Sequence, residues 1–272
     1  MNFSIIVPFY NNVSHINRLF LTLKDYFNND LCEIIIVDDC SKEKDFSALE
    51  GYINELKANN IYLIRNAKNG GAAFSRQEGV KIAKGDYIAF LDADDGWVKN
   101  RAFILYDYII QHSINIIGGA TIFIDEEEFL DLRDTTFEIS SPKLLNFNKF
   151  LFKNYFSTPT VMVRKDVFIK NGFDISMRYS EDYECWRRII LDGRAFFLKN
   201  AGTYSFKHPY ISQQYGSLSS NSLKMSKGEL QGLVKLLNNP IISFSNKLLI
   251  LVALIYSAIK AVVREIRVMI KL

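Results

Sequence analysis

Asp86–Trp97 reads DYIAFLDADDGW, in which the apolar run Ile88-Ala89-Phe90-Leu91 passes directly into three aspartates, Asp92, Asp94 and Asp95. A short, continuously apolar run bounded by polar residues is the pattern of a strand buried on both faces. The same pattern occurs in Phe3–Asn12 (FSIIVPFYNN), where Ile5-Ile6-Val7 halts at Pro8. It occurs again in Glu33–Ser41 (EIIIVDDCS), where Glu33–Val37 ends at Asp38-Asp39. Ile61–Ile64 makes a further strand, and Ile114–Ile124 a fifth. Between the strands the period changes to that of a helix. Ser14 reads as the N-cap of a helix to about Phe27, with Ile16, Leu19, Phe20 and Leu23 on one face. Asp45–Lys57, Gly71–Ala83 and about Lys99–His112 follow in the same register. Doubly apolar strands alternating with amphipathic helices predict an α/β fold with a mostly parallel sheet covered on both faces. Ligands of such sheets lie beyond the carboxyl ends of the strands. Those ends are Pro8-Phe9-Tyr10-Asn11, Asp38-Asp39 and Asp92-Ala93-Asp94-Asp95.

The alternation stops near Asp125. An acidic run to Glu128 and a polar stretch over Asp131–Ser141 precede a predicted helix over Pro142–Lys153. A strand at Thr160–Val163, a short helix after Lys165, a helix over Ser180–Leu191 and a strand at Ala195–Leu198 complete the second half. No linker or internal repeat divides this part, so residues 1–220 are read as one catalytic domain and 221–272 as a helical tail. With 33 basic and 30 acidic residues the net charge is +3, too balanced for an ordinary nucleic-acid binder. Cys32, Cys40 and Cys185 are odd in number and widely spaced, and His15, His112 and His208 do not cluster. This argues against a disulfide framework or a zinc site, and for a reducing compartment. No basic, apolar leader opens the chain.

Three carboxylates within four residues repel one another unless a cation neutralises them, and hard oxygen donors suit Mg²⁺ or Mn²⁺. A solvated turn after a strand is the other reading of Asp92–Asp95. Glu181-Asp182 likewise reads either as the acidic first turn of a helix capped by Ser180, or as a source of a general base.

Together the segments quoted above, with Asn69–Gly79 (NGGAAFSRQEG) and Ser180–Trp186 (SEDYECW), resemble in order and spacing the signatures of family 2 inverting glycosyltransferases. The resemblance covers roughly residues 3–220 and implies the GT-A fold and sugar transfer from a nucleotide diphosphate. By this resemblance Pro8 and Tyr10 line a uracil pocket, with the Tyr10 ring as a stacking surface. Asp39 accepts from the base and Asp38 supports the loop. Relatives often carry Gly after this aspartate pair, where Cys40 stands. Arg76 faces the diphosphate or the nucleotide rim, Asp92 with Ala93 the ribose side, and Asp94 with Asp95 the metal. Asp182 is the catalytic base with Glu181 beside it. Gln213–Ser219 resembles a loop that closes over the donor.

In the tail, Leu248–Val263 is almost uninterruptedly apolar. Lys260, Arg264, Arg267 and Lys271 fall on one helical stripe. The run is short of the roughly 20 residues needed to span a bilayer, so it is read as an amphipathic helix lying on an anionic membrane. The alternatives are a packing helix or a contact with a second copy of the chain. Taken with the resemblance, this implies a metal-dependent enzyme using Mn²⁺ or Mg²⁺. It would move one hexose or N-acetylhexosamine from a UDP-sugar to a lipid-linked saccharide, such as a polyprenyl-diphosphate-linked one. The work would serve bacterial surface polysaccharide synthesis at the cytoplasmic face of the inner membrane. The rival reading is a catalytically silent subunit that binds nucleotide sugar and tethers a partner transferase.

Overall fold

The computed structural model describes residues 1–191, 193–206 and 221–270. The first half follows the expected alternation: β1 (Phe3–Phe9), α1 (Ile16–Leu23), β2 (Cys32–Asp38), α2 (Glu43–Leu56), β3 (Ile61–Arg65), α3 (Ala72–Ile82) and β4 (Tyr87–Phe90). These four strands are mutually parallel in the order β3-β2-β1-β4, with Ile6 of β1 opposite Ile35 of β2 and Phe90 of β4. Successive side chains go to opposite faces, so each strand feeds two cores. Ile5, Val7, Ile34 and Ile36 pack with Leu19 and Phe20 of α1. Ile6, Ile35, Val37 and Phe90 pack instead with Val80 of α3 and, beyond it, Phe168 and Trp186. That double burial is why these strands carry no polar alternation.

After β4 the chain makes β5 (Asp95–Trp97), α4 (Arg101–Gln111), β6 (Ile116–Gly119), β7 (Ile122–Phe123), α5 (Glu126–Arg133), β8 (Lys143–Leu145), α6 (Phe147–Phe152), β9 (Met162–Arg164), α7 (Lys165–Asn171), α8 (Glu181–Leu191), β10 (Ala195–Leu198) and β11 (Thr203–Ser205). β9 enters the main sheet antiparallel between β4 and β6, and β8 adds antiparallel to β10 at the edge. A second sheet, β5-β11-β7, stands at the carboxyl end of β4. The single strand expected over Ile114–Ile124 is therefore two, in different sheets. At Gly119 an added Cβ would lie 2.4 Å from the Leu198 carbonyl oxygen, so the chain there approaches β10 too closely for any side chain. The helix expected over Pro142–Lys153 begins only at Phe147, capped by Asn146, because Lys143–Leu145 is drawn into the sheet edge.

Two expected caps differ from the structure. Ser14 lies within a 3₁₀ turn and caps nothing, and α1 starts at Ile16 with no side-chain cap. The Ser180 hydroxyl donates to the Met225 carbonyl at 3.1 Å, so it ties α8 to the next helix.

The C-terminal segment forms α9 (Ser222–Leu237) and α10 (Phe244–Ile270). Ile250, Ala253, Leu233 and Leu236 join the same core as Trp186 and Phe150, so α9 and α10 are seated on α8 and α6. The cationic stripe is turned toward the protein where it is described. Lys260 Nζ donates to Glu229 at 2.7 Å and Arg264 Nη1 donates to Ser226 at 3.0 Å, both acceptors being on α9. What α10 leaves in the open is apolar: Leu248, Val252, Ile255, Ile259 and Val262 are each at least half exposed. This reverses the expected arrangement, because periodicity identifies a stripe but not the side on which a partner helix lies. Lys271 and the Gln213–Ser219 loop lie outside the described residues, as does the Arg267 side chain. Among the described residues no helix is long and apolar enough to cross a membrane.

Candidate active site

The carboxyl ends of β1, β2 and β4 and the start of α8 open into one cavity of about 970 Å³. Its lining includes Pro8, Tyr10, Asp39, Arg76, Asp92, Ala93, Asp94, Asp95, Glu181 and Asp182, while Asp38, also singled out in the sequence, does not reach it. Tyr10, at the end of β1, is 50% exposed, an aromatic ring held at the mouth of a polar hollow.

Asp39 is buried and already engaged. One carboxylate oxygen accepts from Asn66 Nδ2 and the Gly70 N–H, each at 2.9 Å, and the other accepts from the Gly71 N–H at 2.7 Å. Asp39 thus pins the loop that leads into α3, and Gly71 at φ +85° takes the left-handed turn this requires. Two carboxylate oxygens offer about four acceptor positions, so one remains for a ligand donor. Asp38 is fully buried, accepts from the Ser41 N–H and pairs with Arg65 at 3.2 Å. Cys40 sits at φ +61°, the left-handed conformation that glycine adopts without strain.

Arg76 is buried on α3, and its Nη2 donates to Asp92 Oδ1 in a close ion pair. Burial works against its charge, but Asp92 outweighs that and raises the guanidinium pKa above its ordinary value. Its Nε is buried without a partner. Arg76, expected to face the diphosphate or the nucleotide rim, lines the cavity with the carboxylate assigned to the ribose side as its partner. The Asp92–Asp95 turn is held from outside by a residue the sequence did not flag. Arg18 of α1 donates to the Asp94 carbonyl at 3.0 Å and to Glu126 at 3.2 Å, with Phe206 stacked 3.8 Å away.

Asp182 and Glu181 face this turn from α8. Burial raises the Asp182 pKa; the Tyr183 N–H, the Arg76 charge and the Thr158 hydroxyl partly offset it. Glu181 is raised first by burial and then by the Asp182 charge. Asp182 Oδ1 accepts from the Tyr183 N–H at 2.7 Å and Oδ2 from Thr158 Oγ1 at 3.2 Å. Thr158 is itself positioned from the opposite side of the cavity, because Trp97 Nε1 donates to the Pro159 carbonyl at 2.9 Å and Arg101 Nη2 to that of Thr160. Thr158 carried no sequence signal, since a lone Thr-Pro-Thr is ordinary turn chemistry.

The donor set suits a hard divalent cation. Asp92, Asp94 and Asp95 all line the cavity, while among the described residues no group of three or more His, Cys, Asp or Glu side chains is arranged to hold a metal ion. Mg²⁺ and Mn²⁺ bind in this manner, through one or two carboxylates with substrate phosphates completing the shell. Asp94 and Asp95 would hold such an ion.

Comparison with known proteins places this architecture. An uncharacterized glycosyltransferase of Haemophilus influenzae is 32% identical over 69% of this chain, which spans 61% of that protein's length. The Escherichia coli protein named UDP-Glc:alpha-D-GlcNAc-diphosphoundecaprenol beta-1,3-glucosyltransferase WfgD is 28% identical over 88% of this chain and 87% of its own. The crystal structure of Staphylococcus aureus TarS 1–349 in complex with UDP-GlcNAc superposes with a TM-score of 0.69 at 20% identity, covering 94% of this chain and 72% of that one. The fold is accordingly GT-A, a large mostly parallel sheet flanked by helices. The family model described as glycosyl transferase family 2 matches residues 4–172, and the chain belongs to that family.

Proposed function

We propose that the protein transfers one hexose or N-acetylhexosamine, with inversion, from a UDP-sugar to a lipid-linked saccharide in bacterial surface polysaccharide synthesis. The observation that carries this reading is that one cavity brings together Asp182, the Asp92–Asp95 turn, Tyr10 and Asp39. The printed donor and acceptor of the E. coli relative support the choice of substrates.

In this reading the uracil stacks on Tyr10, and Asp39 uses its remaining acceptor position for the base N–H. The Arg76–Asp92 pair meets the ribose and diphosphate side. Bound at Asp94 and Asp95, Mn²⁺ or Mg²⁺ would neutralise the negative charge of the diphosphate. Asp182 takes the proton of the acceptor hydroxyl as that oxygen bonds to the anomeric carbon. The bond from that carbon to the diphosphate breaks on the opposite side, and the electron pair leaves with UDP. No protein acid is needed for a leaving group of this kind. Burial raises the pKa of Asp182, which strengthens its ionised form as a base. Glu181 lies beside it at the start of α8.

A seat on the cytoplasmic face of the inner membrane is part of the proposal. Its support is the open apolar face of α10, since Lys260 and Arg264 are bonded to α9. The test is a panel of UDP- and GDP-sugars with diphosphate-lipid saccharide acceptors, with and without Mn²⁺, read by mass spectrometry. A product one sugar heavier from a UDP donor alone supports the reading. Absence of any product with a UDP donor that binds would overturn it.

A further inference from the structure

Behind Asp182 lies a second hollow of about 390 Å³, between α6, α8, α9 and α10, which shares Asn154, Ser180, Asp182 and Met225 with the first. Its electrostatic character is the opposite. Among the described residues of the main cavity, carboxylates outnumber cations, with six of them against the guanidinium groups of Arg76 and Arg178. In the second hollow three cations, Lys153, Lys260 and Arg264, face two carboxylates, Asp182 and Glu229.

These cations are not equally committed. Lys260 is held by Glu229, whose carboxylate also accepts from Ser257 at 2.9 Å. Arg264 spends Nη1 on Ser226 at 3.0 Å, which leaves the rest of its donor fork toward the hollow. Lys153 is exposed, with its ammonium 5.3 Å from the Tyr155 ring. Phe152 and Tyr256 meet edge to face at 5.7 Å along the same hollow. Tyr256 lies on α10 one turn from Val252, and beside it run Ile255 and Ile259, all open to solvent. A path therefore leads from the base, through a basic pocket, to an exposed apolar helix face.

We propose that this hollow is the acceptor's diphosphate site. Lys153 and Arg264 clamp the diphosphate, and the attached isoprenoid chain leaves along Tyr256 and the apolar face of α10. The inference rests on the transferase reading but adds to it where the acceptor enters and why no second metal is required. The saccharide, joined to the diphosphate, would then extend past Ser180 toward Asp182. Charge-assisted hydrogen bonds from two cations give the diphosphate its hold, and the isoprenoid gains from leaving water.

The experiment measures farnesyl diphosphate binding to the full chain by calorimetry while UDP saturates the donor site. Farnesol and inorganic pyrophosphate serve as the two half-ligands. Lys153→Glu is the first variant, an exposed lysine whose replacement leaves packing untouched, and Arg264→Ala the second, each checked by its melting temperature. The expected result is farnesyl diphosphate binding that UDP does not displace, weakened about tenfold or more in both variants, with UDP affinity unchanged. Farnesol and pyrophosphate each bind at least about tenfold more weakly than the whole ligand. Displacement by UDP, equal binding in the variants, or farnesol or pyrophosphate binding as tightly as the diphosphate lipid would overturn the assignment. The donor reading is judged separately, by whether UDP itself binds.

Discussion

Thr158 Oγ1 donates to Asp182 Oδ2 at 3.2 Å, and this bond joins the two walls of the cavity. Thr158 is fixed through its neighbour Pro159 by Trp97, the last residue of the segment that begins with the Asp92–Asp95 turn. The base and the acidic turn are thus held in register by one short chain of contacts. Because the hydroxyl stabilises the ionised form, Thr158→Val raises the Asp182 pKa further. The expected outcome is a kcat about tenfold lower with donor KM unchanged, and an acidic limb of the pH–rate profile displaced to higher pH. A uniform loss with no displacement of the limb would make Thr158 merely structural.

Asp182 has a cost in stability as well as a use. Burial raises its pKa in the folded state above the unfolded value, so folding favours the protonated acid. That contribution is fully present below the unfolded carboxylate range, near pH 4, and is lost as pH rises through the folded pKa. Above the folded pKa the ionised group is a burden that Asp182→Asn removes. Thermal melts of the two proteins should show the variant gaining on wild type as pH rises above the unfolded carboxylate range. A difference that is constant with pH contradicts the raised pKa.

The Asp39 clamp should be costly to break. Asp39→Ala strips acceptors from the Gly70 and Gly71 N–H groups and from Asn66, bonds of the charge-assisted kind that contribute about 1.5–3 kcal/mol each. Urea denaturation should show a loss of at least about 2 kcal/mol, with UDP binding lost as the loop relaxes. In contrast, Cys40→Gly removes the left-handed strain at φ +61° and should change stability by no more than about 1 kcal/mol, in the favourable direction.

Truncating α10 is a poor test of membrane seating, because Ile250 and Ala253 belong to the core and their loss would disturb α8. Substituting the open face is cleaner. Ile255→Asp with Ile259→Asp should abolish co-sedimentation with anionic phospholipid vesicles while leaving the melting temperature within about 2 °C of wild type, as surface changes do. Undiminished sedimentation of this variant would rule out the apolar face as the seat.

The parts of the fold that were legible are those in which burial is symmetrical. β1, β2 and β4 are covered on both faces, so their sequences are unbroken apolar runs and their ends are marked by Pro8, Asp38 and Asp92. β9 was visible as a strand, but its antiparallel insertion between β4 and β6 depends on partners far away in the chain, which no local pattern encodes. In the site, carboxylates at strand ends could be found because acidic residues after an apolar run are conspicuous. Arg18 and Thr158 could not, since each acts through a single long-range hydrogen bond. The tail gives the sharpest instance: four-residue spacing put Lys260 and Arg264 on one stripe, yet only the position of α9 decides that the stripe faces inward.

The central claim is that Asp182 deprotonates the acceptor while the cavity around Tyr10 and Asp39 holds the donor nucleotide. A single-turnover assay with a radiolabelled UDP-sugar and a diphosphate-lipid saccharide, run beside UDP calorimetry on wild type and Asp182→Asn, tests it most directly. The account predicts that the variant loses transfer by at least about a thousandfold while its UDP affinity stays within twofold of wild type. Transfer retained within tenfold, or loss of UDP binding in parallel with transfer, would contradict it.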